Sequence, residues 1–298
     1  MTEALPGTVL DVVVSRIDTD GVSLLGVCAG HEEGEWRYTQ LVDDFIAWST
    51  DWVLTRADAQ KISTATQHAL LVKAITRIYQ SAKYKNRGEV GELLLHMVMR
   101  KFLAGKAVIS RMWFKDAPND TVKGYDGVFV TEGAEVRPDG RKVLELWLGE
   151  AKLFTDAAAA SRAVLDELEV HLSKNYLRTE FMAISDKVDD NWEHADEIRS
   201  LLARTTSLDK VFERTVVPCF ITFDSDILAA HSESSGDYVE EMTAHLEGQW
   251  EAFKQRLDRR DLPRQVRIHL ILMPMNTKQK LLEEFDRRLK LWQALLGA

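Results

Sequence analysis

Residues 143–154 read VLELWLGEAKLF, an apolar run of strand character that ends on an acid and a lysine two positions apart. Alternate side chains of an extended segment share a face, so Glu150 and Lys152 point the same way and Ala151 the other. Burying either charge alone costs on the order of several kcal/mol or shifts its pKa until it neutralises. The pair therefore needs a partner network or a chemical purpose.

Working outward, GAEVRPDG at 133–140 is a turn, and TVKGYDGVFVT at 121–131 reads as the strand before it. Antiparallel pairing across that turn brings Asp126 next to Glu150. Gly124 and Gly127 flank Asp126 and permit close approach by backbone or ligand. Upstream, EVGELLLHMVMRKFL at 89–103 is helical, with Glu89, Glu92 and His96 on the face opposite much of the stripe Val90, Leu94, Val98. Downstream, Asp156 caps a helix over 157–172. VVPCFITFD and VRIHLILMPM then read as strands, with long helices near 237–258 and 276–295. The order predicts an α/β (α+β) fold, a mixed sheet with helices packed against it.

Before residue 80, VLDVVVSRI and VSLLGVCAG read as two strands around the turn at 18–21, followed by helices over 38–54 and 64–80. Residues 1–80 are an accessory region, a smaller domain or a lobe fused to the same core. Residues 81–298, opening with the basic SAKYKNRG, hold the main domain with its C-terminal α/β extension. Trp36, Trp48 and Trp52 in the first region either anchor a partner or pack inside their own lobe.

The chain has 298 residues, 45% hydrophobic and 29% charged, with 6 prolines, which excludes a disordered chain. No apolar run approaches the roughly 18–20 residues of a membrane span, and the N-terminus lacks the pattern of a secretory signal. Cys28 and Cys219 are expected to be reduced, buried thiols of a cytoplasmic protein. The net charge of −9 means that any nucleic-acid role needs a local basic surface, metal ions or a partner. Lys83, Lys85 and Arg87 form one basic cluster. Arg256, Arg259, Arg260, Arg264 and Arg267 form another, which a solvated face also explains.

Several carboxylates gathered in one place repel one another, and a hard divalent cation such as Mg²⁺ resolves the conflict. A lysine beside such an ion can hold a phosphate or position the attacking water. Asp126, Glu150 and Lys152 with a helix carboxylate thus contain the residue types of metal-assisted phosphodiester hydrolysis. Each has a plain alternative: a surface ion pair for Glu150 and Lys152, a turn residue for Asp126, a helix-dipole contact for Glu89 or Glu92. His96 fits a hydrogen-bonded packing residue better than a ligand. His68 and His171 have no ligand-spaced neighbour. Met97, Met99, Met273 and Met275 read as core filler.

The three blocks RGEVGELLLH, KGYDGVFV and LELWLGEAKLF, in this order, resemble the PD-(D/E)xK nuclease core of the HamA family, the small subunits of the Hachiman antiphage defence system. The resemblance implies a restriction-endonuclease-like core over about residues 85–225. It assigns the helix carboxylate to Glu92, with Glu89 the alternative, and the strand positions to Asp126, Glu150 and Lys152. Asp126, Glu150 and Glu92 would hold Mg²⁺ or Mn²⁺. The signature's proline is absent, and Tyr125 stands in its place. The resemblance further implies DNA as substrate and a superfamily 2 helicase, HamB, as partner. A restriction- or repair-type nuclease acting alone, and a non-catalytic adaptor on a nuclease fold, are the rival readings.

Overall fold

The strand expected around Glu150 is present and lies inside a mixed sheet. The computed structural model describes residues 5–18, 21–78, 88–109 and 124–296. Its strands are β1 (Asp11–Arg16), β2 (Val22–Cys28), β3 (His31–Glu32), β4 (Glu35–Trp36), β5 (Lys106–Ala107), β6 (Gly127–Val136), β7 (Lys142–Leu153), β8 (Thr215–Asp224) and β9 (Arg267–Met275). The helices are α1 (Tyr38–Val53), α2 (Arg56–Ala59), α3 (Gln67–Arg77), α4 (Gly88–Phe102), α5 (Ala157–His171), α6 (Lys174–Ser185), α7 (Ala195–Leu202), α8 (Leu208–Phe212), α9 (Asp226–Ala230), α10 (Gly236–Leu257) and α11 (Lys278–Leu296).

Among the described residues the main sheet runs β1-β2-β9-β8-β7-β6-β5. β2, β9, β8 and β7 pair in parallel, and antiparallel strands flank them on both sides. Parallel strands must be covered on both faces, which is why β8 is buried from Thr215 to Phe223. The α/β class read from the sequence is the observed one.

The two faces of β7 meet different helices. Gly149, Ala151 and Leu153 face α4: a Cβ on Gly91 would lie 3.6 Å from Ala151 and Leu153, and one on Gly149 would lie 2.7 Å from Leu95. Glu150 and Lys152 face α5. α1 packs on α3, α4 and α11, while α10 packs on α5, β1 and β2. The sheet is thus a middle layer between two helical ones.

Some expectations change in detail. β6 continues through Val136, so the turn shortens to residues 137–140, where Gly140 takes a φ of 81°. The segment HEEGEWR holds the β3–β4 hairpin. α4 is buried on all sides from Val90 to Met99, so Glu92 and His96 do not lie on an open face. Trp36, Trp48 and Trp52 are buried in the chain's own core, as the packing alternative has it. The named methionines are core residues, and both cysteines are buried free thiols. No described helix is long and apolar enough to cross a membrane. Lys83, Lys85, Arg87 and the first three residues of the strand expected at 121–131 lie outside the described residues.

Candidate active site

β6 and β7 pair antiparallel with Gly127 opposite Gly149. Continuing that register by one residue sets Asp126 across from Glu150. Two hydrogen bonds fix the approach: the Asp126 amide donates to the Gly149 carbonyl at 2.7 Å, and the Ala151 amide donates to Asp126 Oδ2 at 2.8 Å. Asp126 is therefore held against the GEAK segment by main chain as well as side chain. The glycines beside it make room for the protein's own side chains. A Cβ on Gly127 would stand 2.5 Å from the Phe129 ring, and one on Gly124 would stand 2.8 Å from a Glu180 oxygen.

Glu150 is 1% exposed. Burial first, then the neighbouring charge of Asp126, hold its carboxyl well above the usual carboxylate range. Lys152 is oppositely placed in energy. Burial pulls its ammonium down, but Glu167, Asp126 and Glu150 outweigh that and leave it above the ordinary value. Lys152 Nζ is ion-paired with Glu167 on α5. One turn further along that helix, His171 Nδ1 is hydrogen-bonded to Glu150 Oε1. Burial lowers the His171 imidazole below its ordinary value, against the raising pull of Glu167 and Asp126.

Glu150, Glu167 and His171 offer three ligand atoms lying within 4.8 Å of one another, the single such group among the described residues. Glu92 and Asp126 lie outside that group. Glu92 is buried at 8% exposure on α4, whose Gly91 faces the Ala151 side of β7. Glu89, half-buried in the first turn of the same helix, also lies outside it. His96 is a packing residue: its Nε2 meets Asp51 Oδ2 at 2.6 Å, and its ring lies between Trp48 and Phe129.

A family model described as HamA matches residues 7–289. That span covers the sheet from β1 to β9 and reaches into α11, so the match concerns the whole architecture and not the GEAK strand alone. The chain belongs to the HamA family. No curated protein matches it.

In this HamA-family chain the expectation that His171 lacks a ligand-spaced neighbour is overturned. Glu167 stands four residues before it, on the same helical face. The spacing E-x-x-x-H at the end of the helix that follows GEAK was the available signal. It is a modest one, because acids and histidines four apart are also common on solvated helices. What gives it meaning is that α5 packs its polar stripe onto the Glu150–Lys152 face.

Two arginines of the second basic cluster are committed to acids of the chain itself. Arg260 pairs with Asp166 and Glu169, and Arg267 pairs with Glu145. Arg259 and Arg264 are exposed.

Proposed function

We propose that this HamA-family chain is a metal-dependent DNA nuclease, the effector subunit of an antiphage defence complex that works with a superfamily 2 helicase of the HamB kind. The observation that carries the reading is the buried Glu150 beside Lys152, with Asp126, the residue just before β6, across the continued register.

The donor set fits a hard divalent cation. A buried carboxyl faces a second acid, and the nearest ammonium is already paired with Glu167. Mg²⁺ prefers such oxygen donors, and Mn²⁺ can replace it. Asp126 and Glu150 would hold the ion, with Glu92, or Glu89, as the helix carboxylate. When bound, the ion polarises a phosphate oxygen and makes water more acidic. Glu150 would help hold and orient the ion, in its carboxylate form. Lys152, kept protonated by its acidic neighbours, supplies a fixed positive charge for the phosphate in the transition state. Lys83, Lys85 and Arg87 precede α4 and would contact the phosphate backbone, which carries no base sequence.

The helicase would meet the helices outside the β6–β7–α5 core, over residues 36–80 and 237–258. The chain's net charge of −9 suits a subunit that borrows DNA affinity from its partner. The test is to incubate the purified complex with circular and linear DNA, with Mg²⁺ or EDTA, and with or without ATP. Degradation that needs Mg²⁺ supports the reading. Intact DNA under every condition would leave an adaptor role.

A further inference from the structure

We infer that Glu167 and His171 of α5 form a bracket that positions the two working side chains of β7, and that Tyr125 and Tyr176 hold this bracket in place. The inference rests on the reading of Glu150 and Lys152 as residues of the reacting site.

A glutamate and a lysine are long side chains with several rotatable bonds, so an active site must restrict them to act with precision. Here the restriction comes from one helix. Glu167 receives the Lys152 ammonium, and four residues later His171 Nδ1 binds Glu150 Oε1. The i,i+4 spacing puts both contacts on one face, matching the two-residue alternation of Glu150 and Lys152 on the strand.

The imidazole itself meets two tyrosine rings. Its ring stacks on Tyr176 with centroids 4.5 Å apart and planes at 16°. Tyr125 meets it edge-on at 5.4 Å and 69°. The Tyr125 hydroxyl also donates to the His171 carbonyl at 3.0 Å. Tyr125 is 4% exposed and directly precedes Asp126, so the segment leading into β6 carries one acid and also locks the histidine that orients the other. A proline at that position has no hydroxyl with which to do this. A ring so confined, with Nδ1 already engaged by Glu150, acts through that carboxylate. His171 is a positioning residue of the kind that supports metal-binding carboxylates, whose loss typically costs about 10- to 100-fold in metal affinity or activity.

The test compares the full-length wild type with His171→Ala, His171→Asn, His171→Gln and Tyr125→Phe. Mn²⁺ affinity is measured by calorimetry, and kcat and KM on DNA are measured for the complex with its helicase. Asparagine can place an amide nitrogen near the Nδ1 position, whereas glutamine reaches toward Nε2. His171→Ala should lose about 10- to 100-fold in kcat and in Mn²⁺ affinity with KM unchanged. His171→Asn should recover most of both and His171→Gln little. Tyr125→Phe should lower kcat several-fold while the protein remains folded. A His171→Ala enzyme as active as wild type would reduce the ring to packing, and equal loss in the asparagine and glutamine variants would make it a direct ligand. Either result overturns the inference. If His171→Ala fails to fold, the contrast between the asparagine and glutamine variants decides. If the wild type itself cuts no DNA, the nuclease reading falls separately, and the Mn²⁺ affinities still judge the bracket.

Discussion

A carboxyl group that is 1% exposed and faces Asp126 can keep its proton or gain a cation, and this choice makes Glu150 sensitive to pH. Its folded-state pKa is raised above 4.5, so its contribution to stability is complete below that value and is lost as pH rises through the raised one. Mg²⁺ should offset the loss. The rise in melting temperature on adding Mg²⁺ should therefore grow as pH increases above 4.5 in wild type and vanish in Glu150→Gln. An equal Mg²⁺ response in both would remove Glu150 from the ligands. Gly127→Ala offers a purely structural check. The new Cβ would stand 2.5 Å from a buried Phe129 ring, and overpacking of this kind costs about 1–3 kcal/mol, readable by urea unfolding. Asp126, Glu150 and Lys152 were legible because strand alternation and a short turn dictate which side chains meet. Glu167 and His171 were not, since helical spacing says which residues share a face but not what that face will cover.

At the scale of elements, α4 shows the same limit. Its span follows from its apolar periodicity, yet Glu92 and His96 are buried because α1 covers the side that reads as polar. The cover brings its own acid. Asp51 on α1 accepts from Arg100 Nε at 3.0 Å and Arg100 Nη2 at 3.1 Å, and binds His96 at 2.6 Å. Burial pushes the Asp51 carboxyl up, but His96 and Arg100 outweigh it and hold it well below the usual carboxylate range. Removing one partner of such a buried network costs about 3 kcal/mol or more, so Asp51→Asn should lower stability by that order near neutral pH. The folded-state value lies beneath the unfolded 3.8, so the contribution is complete above 3.8 and fades as pH falls below it. Unfolding curves of wild type and Asp51→Asn should converge in acid. A constant gap across pH would assign the loss to shape and not to charge. The short helices α6–α8 have no counterpart among the sequence expectations. α6 does carry Leu177, Phe181 and Ile184 at helical spacing, but polar residues crowd the stripe.

For the whole molecule, the sheet links distant parts of the chain. β2 pairs in parallel with β9, across more than two hundred residues of sequence, a partnership that no local pattern announces. Deleting the chain through Val53 would open the β9 edge and uncover the apolar faces of α4 and α11. An exposed edge of that kind invites aggregation, so the truncated chain should elute as aggregate or fail to fold by circular dichroism. A monodisperse, folded product would show that the remaining layers suffice. The most direct test of the central claim is DNA degradation by the complex with the proposed helicase partner, comparing wild type, Glu150→Gln and Lys152→Ala at verified folding and partner binding. Loss of one preorganised electrostatic contact costs roughly 10²- to 10³-fold in rate, so both variants should leave DNA essentially uncut in saturating Mg²⁺ while wild type degrades it. Cleavage by Glu150→Gln at the wild-type rate would contradict the account.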